Sequence, residues 1–399
     1  LENLLTPIQE QKDFCDWSLC LAVRLLYFDY GEDTDRITPK LTEIKNTLST
    51  FPFWPMCSIE KCKNTFNYWS ENHAFMFLSS AHLFRQKMNI SYCRETSILR
   101  AVLRAKANPE LGKGLYEVLS QVYLPYSLCA MVNLIDFSRD MEIVALATVV
   151  ADLIVHQLAL ATTDQGVCSF TASARQFHRC RVRPYGHNVN QLMLIVAGVP
   201  WDFKPDSVTG TLLTSSYRPG DRINFNYLIY TEQNIERRQM NHRIYNVERA
   251  YRDMSEEECV PLYWSAGLVT HPDFIDRTKS FQDKHHLHGQ IHLRKLSWLP
   301  TAFAQGFMSS MSHWSKGQNY TGIDLNLYKA PGGLMLSSFE AYNVGLCGYQ
   351  QNPWMANVSG VGVWSGSGKM KKLNIFEIAN LYGPHVSQKG RLLVAAYVV

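Results

Sequence analysis

The sequence has no HExxH, no GxSxG and no CxxC pair. Those absences remove the helix-borne zinc protease, the nucleophile-elbow hydrolase and the ribbon-type structural zinc site. Charge is sparse as well: 19% of the 399 residues are charged and the net charge is +4. So weak a balance gives no reason to expect a general nucleic-acid binder, and an anionic partner would have to be met by a local cluster. There is no low-complexity tract and no repeat of fixed period. The longest apolar stretch, Met141 to Thr163, is interrupted by Glu142, Asp152, His156 and Gln157. It reads as a helix buried among other helices, and no membrane span is expected. The chain begins at Leu1 without a basic-then-apolar leader, so targeting is not legible from it.

What is present suits a large folded protein. The length suggests two domains, and 46% hydrophobic residues can bury a sizeable core. Aromatic residues make up 12%, with 20 Tyr and 9 Trp; such rings serve as flat platforms for sugars, and equally as core. The 10 cysteines include Cys15/Cys20, Cys57/Cys62 and Cys168/Cys180, close enough for local disulfides. Sequons begin at Asn89, Asn319 and Asn357. Both features lead us to expect a secreted, disulfide-bearing glycoprotein.

Up to Thr163, apolar residues recur at three and four, as in Leu19, Val23, Leu26 and in Ile143, Leu146, Val150, Ile154. That spacing predicts successive helices with breaks at 34–39, 51–55, Asn108-Pro109 and Gln165-Gly166, and with Ser138 capping the helix after it. The pattern loosens from Cys168 to Tyr217, then returns as helix over roughly 222–253 and 255–281. From His285 short alternating runs, Ile323-Leu325-Leu327, Leu334-Leu336, Val361-Val363 and Leu392 to Val399, lie between glycines. These are antiparallel strands. The expected organisation is α+β, a helical domain over 1–284 and a β domain over 285–399, with truncation at Val399 left open.

The most informative element is Ser70-Glu71-Asn72-His73, which follows Phe66, Tyr68 and Trp69 and opens an apolar run to Phe84. Ser70 is a good N-cap and Glu71 suits a first turn, so an amide and an imidazole would stand at a helix start, where free N–H groups and the dipole favour an anion. The competing reading is that Asn72 and His73 only hold neighbouring loops. A second group, Arg175, His178, Arg179, Arg181, Arg183 and His187 around Pro184-Tyr185-Gly186, could clamp carboxylates or sulfates, or be an ordinary solvated loop. A third, His285-His286-Leu287-His288 with His292, could line the domain junction, supply a catalytic acid, or place His286 and His288 on a metal.

The runs Tyr68-Trp69-Ser70-Glu71-Asn72-His73, Leu119-Ser120-Gln121-Val122-Tyr123, Val132-Asn133-Leu134-Ile135-Asp136-Phe137, Asn319-Tyr320-Thr321-Gly322 with Leu327-Tyr328, and Gly348-Tyr349-Gln350-Gln351 with Trp354 carry a resemblance. With the helical front and Gly-rich β back, the chain resembles the heparinase- and alginate-lyase-like superfamily, closest to its uncharacterised toroid proteins. The resemblance implies an incomplete (α/α) toroid followed by an antiparallel β-sandwich, an acidic polysaccharide in the cleft between them, and no cofactor. Lyases of that kind take the proton at C5 of a uronate and expel the O4-linked sugar. The resemblance puts Asn72 and His73 opposite the carboxylate and Tyr123 as base or acid, with Tyr116 and Tyr126 as neighbours. It would leave Trp69, Arg175, His178, Arg179, Tyr185 and His187 to bind flanking sugar. Two alternatives stand beside it: a glycan-binding or structural protein that has lost the reaction, and a toroid glycosidase pairing Glu71 with Asp136 or Asp164.

Overall fold

In the computed structural model of the chain, the described residues are 1–12, 14–53, 70–90, 94–108, 115, 119–167, 187–239, 254–265, 274–285, 287, 300–310, 324–340, 354–359, 361–363 and 385–396. The three-and-four spacing folds as α1 (Glu2–Gln9), α2 (Cys15–Tyr27), α3 (Thr34–Thr50), α4 (Glu71–Lys87), α5 (Arg94–Ala107), α6 (Tyr123–Phe137) and α7 (Met141–Leu160). A small hairpin, β1 (Thr162–Thr163) and β2 (Gly166–Val167), turns the chain. Next come α8 (His187–Ala197), α9 (Ser207–Leu213), α10 (Phe225–Tyr230), β3 (Gln233–Gln239), α11 (Glu256–Ser265), α12 (Ile275–Lys284) and α13 (Thr301–Ser310). The last described part is β4 (Asp324–Ala330), β5 (Leu334–Glu340), β6 (Trp354–Val358), β7 (Val361–Val363), β8 (His385–Lys389) and β9 (Leu392–Ala396). The fold is α+β with antiparallel sheets: a 5-stranded sheet in the order β3-β4-β5-β6-β7 and the pair β8-β9. Gln388 Nε2 of β8 donates to the Leu336 carbonyl of β5 at 3.1 Å, which holds the pair to the larger sheet.

Three places correct the sequence reading, the first being α3, which is helical through 34–39 where a break was expected. The stretch 222–253, expected to be helical, supplies β3, and the stretch after 285, expected to be β, supplies helix α13. β3 is an edge strand carrying Glu236, Arg237 and Arg238, and charges on an edge are how sheets resist further pairing. Only its pairing with β4, Ile235 opposite Leu327, decides for strand, and that contact is remote in sequence. The sheet therefore draws on both sides of residue 284.

Side-chain pairings fix the helix directions. Along α2 and α4, Asp16 meets His73, Cys20 meets Met76 and Ser80, and Tyr27 meets Leu83, so these helices run parallel. Along α2 and α6, Trp17 stacks on Tyr126, Arg24 bonds Asn133 and Tyr27 stacks on Phe137, so α6 is parallel too. α5 runs the other way against α4: Glu71 pairs with Lys106 at one end and Arg85 with Glu95 at the other. The starts of α2, α4 and α6 thus gather at one end of the bundle.

The sheet docks at that same end. Lys329 of β4, fully buried, donates to the carbonyls of Ala159 at 3.1 Å and Thr162 at 2.6 Å, where α7 ends. An ammonium at a helix C-terminus satisfies the last carbonyls and meets the negative end of the dipole. Asp164 accepts from the N–H groups of Gly332 at 3.2 Å and Gly333 at 3.0 Å. Gly333 has a φ of +76°, and a Cβ there would lie 2.7 Å from Gln165 Cγ, so this turn needs glycine. Leu119 and Ala161 pack with Leu325, Leu327, Met335 and Phe339.

α7 is long and apolar enough to cross a membrane by length and composition, yet 56% of its most apolar window is buried inside the protein. Its Asp152 accepts from Tyr217 at 2.7 Å and pairs with Arg222 at 2.5 Å, so the helix packs as core. The cap of α7 is Asp140, accepting from Glu142 and Ile143 N–H; Ser138 instead accepts from Asp140 N–H. The expected Cys15/Cys20 disulfide is not formed: Cys20 is a thiol, donating toward Met76 and accepting from Ser80. Cys57, Cys62, Cys168 and Cys180 lie outside the described residues. Of the sequons, Asn89 is exposed, Asn357 is fully buried in β6 where no glycan fits, and Asn319 lies outside the described residues.

His82 of α4 ties three segments together, with Nδ1 2.9 Å from Thr96 Oγ1 of α5 and Nε2 3.0 Å from Ser138 Oγ before α7. Burial pushes its pKa down from 6.5 to about 4. Above pH 6.5 the ring is neutral folded and unfolded; below it the unfolded chain takes up a proton that the folded chain refuses until about pH 4, so stability falls as pH falls across that window. The expected loss is on the order of 2–3 kcal/mol by pH 4. His156, also lowered to about 4 by burial and then by Arg238, adds to it with the same sign. Urea midpoints at pH 7 and pH 5 should separate less in His82→Gln than in the wild type; equal separations would refute the assignment.

Candidate functional site

α4 begins as its sequence dictates. Ser70 is the N-cap, with extended backbone at φ −98° and ψ 161°, and Glu71 lies in the first turn. The Ser70 hydroxyl does not cap a backbone N–H; it donates to Oδ1 of Asn72. Asn72 is 0% exposed, and its Nδ2 has no hydrogen-bond partner among the described residues. A buried amide donor left unmade costs about 1–3 kcal/mol, so this is an expensive group to keep.

Charge holds the same turn from two sides. Lys106 of α5 lies with its Nζ 2.5 Å from Glu71 Oε1, both side chains buried, and also 3.5 Å from the Ser265 carbonyl that ends α11. Asp16, in the first turn of α2 and fully buried, lies 2.5 Å from His73 Nδ1. His73 is 7% exposed, with Phe77 one turn below it at 6.5 Å between rings. No described residue bonds its Nε2.

Beside this pair Trp17 stacks on Tyr126, centroids 4.1 Å apart and planes 10° apart. Burial pushes the Tyr126 phenol up to about 12, which makes it a reluctant base and a good stacking partner. Tyr123, one helical turn earlier, is half-buried at the start of α6, and its N–H donates to Ser120 Oγ at 3.1 Å. Leu119, just before, is buried at φ +52°, a left-handed backbone that costs a non-glycine residue about 1 kcal/mol or more. Its packing against Leu325 and Phe339 of the sheet holds it there.

Because α2, α4 and α6 are parallel, Asp16, Trp17, Asn72, His73, Tyr123 and Tyr126 share one end, the end where the sheet docks. Sequence reasoning named Asn72, His73 and Tyr123, with Tyr126 as a neighbour, and missed Asp16, Trp17 and Lys106. Asp16 left one legible signal, an acid in the first turn of an otherwise apolar helix; Lys106 left none. Trp69, Arg175, His178, Arg179, Tyr185, Tyr116, His286 and His288 lie outside the described residues, and of His187 only its place at the start of α8 is described. His285 caps α12 with its ring 4.3 Å from Phe281 and its pKa lowered by burial. Among the described residues no group of His, Cys, Asp and Glu is arranged to hold a metal.

The carboxylates considered for glycoside hydrolysis are each engaged. Glu71 is paired with Lys106, Asp164 accepts from two glycine N–H groups, and Asp136 accepts from Arg24 at 2.9 Å and from Ser216 N–H at 2.8 Å. Asp136 also sits near the far end of α6 from Tyr123. Comparison with family models, curated proteins and solved structures finds no match to this chain.

Removing one member of the buried pair should be severe: Lys106→Met takes the ammonium away from buried Glu71, an expected loss of about 3–5 kcal/mol. Adding Glu71→Gln should recover most of it. Urea unfolding of the two variants checks this, and a single variant within about 1 kcal/mol of the wild type would show that the pair carries no such load.

Proposed function

We propose that the protein binds an acidic, uronate-containing polysaccharide at the gathered starts of α2, α4 and α6 and cleaves it by β-elimination. The observation that carries this reading is the convergence of an Asp16-bonded imidazole, a half-buried phenol and a stacked aromatic pair at the end of the bundle that faces the sheet. Elimination needs a group to take the C5 proton, a group to protonate the departing O4 and donors for charge growing on the carboxylate. His73, Tyr123 and Asn72 are of those types. The parallel α2, α4 and α6 with antiparallel α5 favour an incomplete (α/α) toroid, and the five-stranded sheet with the appended β8-β9 pair favours a sandwich partner. Extracellular location belongs to the same reading, with exposed Asn89 as its acceptor site.

One observation favours a second reading, a glycan-binding protein without the reaction: Asn72 is sealed from solvent and tied to Ser70. Incubation with alginate, heparan, chondroitin and pectin separates the two. Elimination yields a 4,5-unsaturated product with a new ultraviolet absorbance, and Tyr123→Phe should abolish it while retaining binding. Binding of a uronate polymer without that product supports the second reading. New reducing ends without the chromophore would replace both with a glycosidase.

A further inference from the structure

The Asp16–His73 contact does more than join two helices. A carboxylate oxygen can only accept, so a 2.5 Å contact between Asp16 Oδ2 and His73 Nδ1 places the ring proton on Nδ1. Asp16 lies in the first turn of α2, where helix N–H groups and the dipole favour negative charge. With Nδ1–H facing Asp16, the other ring nitrogen is Nε2, which no described residue bonds.

We infer that Asp16 is a positioning residue for His73, fixing the Nδ1–H tautomer and so making Nε2 a proton acceptor. This rests on the elimination reading and sharpens it, because it assigns the ring nitrogen away from the Asp16 contact as the acceptor. His73 is then the base, a different role from that of Asn72 beside it. In the step itself the C5–H bond breaks with its proton passing to Nε2, and the electron pair forms the C4=C5 bond. The C4–O4 bond breaks, O4 takes a proton from the Tyr123 phenol, and solvent carries the imidazolium proton back to the phenolate. Atoms and charge balance without an added reactant. Within known catalytic dyads, an acid that fixes an imidazole tautomer changes turnover far more than binding.

The test joins a spectroscopic and a kinetic arm on the full chain. Imidazole nitrogen NMR of the wild type should show His73 as the Nδ1–H tautomer, against the Nε2–H preference of free histidine. Asp16→Asn should bring in the Nε2–H form and lower kcat on a cleaved uronate polymer by about 100-fold or more, with KM little changed. Asp16→Glu should restore part of both. A wild-type ring in the Nε2–H form, or a tautomer indifferent to Asp16→Asn, overturns the assignment, and the wild-type measurement stands even if a variant fails to fold. Should the tautomer be as inferred while no uronate polymer is cleaved, the elimination reading falls and the orienting role of Asp16 holds.

Discussion

The bond between Asp16 and His73 ties α2 to α4 at the end of the bundle where we propose the site. In that arrangement, Trp17 faces Tyr126, and Tyr123 comes to stand one turn further toward the sheet. A shift of α2 by one turn would break the short contact and put Leu19 or the Cys20 thiol opposite the imidazole. The apolar core alone would not forbid such a slip, because leucine and valine repeat along α2 at the same spacing. Buried polar contacts discriminate registers that hydrophobic packing leaves close in energy.

The same end of the molecule concentrates groups that are costly to bury. Lys106 with Glu71 and Lys329 with the last carbonyls of α7 are taken wholly out of water. Removing a charge from solvent is offset only where the geometry is good and the partners complete, and a well-packed apolar substitute is often as stable. Two such lysines, a left-handed Leu119 and the Asn72 amide donor, without a partner among the described residues, lie at this end, while Arg24 and Gln157 are buried polar groups elsewhere in the helical core. Strain and unmet polar groups gather at functional sites more than elsewhere, and this is the end we propose as the site; the Arg24–Asp136 network near the other ends of α2 and α6 also keeps a buried donor, Arg24 Nη2, without a partner among the described residues.

The helices of the front half were legible because their apolar spacing is long and local, and α4 starts where Ser70 and Glu71 put it. The strands β4, β5, β7 and β9 were legible from alternation between glycine turns. β3 was not, since its charged residues carry no period and its partner strand lies far along the chain. The cap of α7 was misassigned by two residues because Ser138 and Asp140 are both good cap types and only geometry chooses between them. Of the residues in the proposed site, Asn72, His73 and Tyr123 were named from residue type and motif. Asp16 and Lys106 could not, because what makes them matter is a contact across 57 positions in one case and a helix crossing in the other.

The central claim is spatial: the starts of α2, α4 and α6 form the face that meets an acidic sugar chain. Hydrogen–deuterium exchange in the presence of a uronate hexasaccharide tests it most directly. The account predicts added protection at peptides spanning 14–17, 70–73 and 119–126, with little change around Arg24 and Asp136. Protection confined to the opposite end, or to the sheet alone, would contradict it.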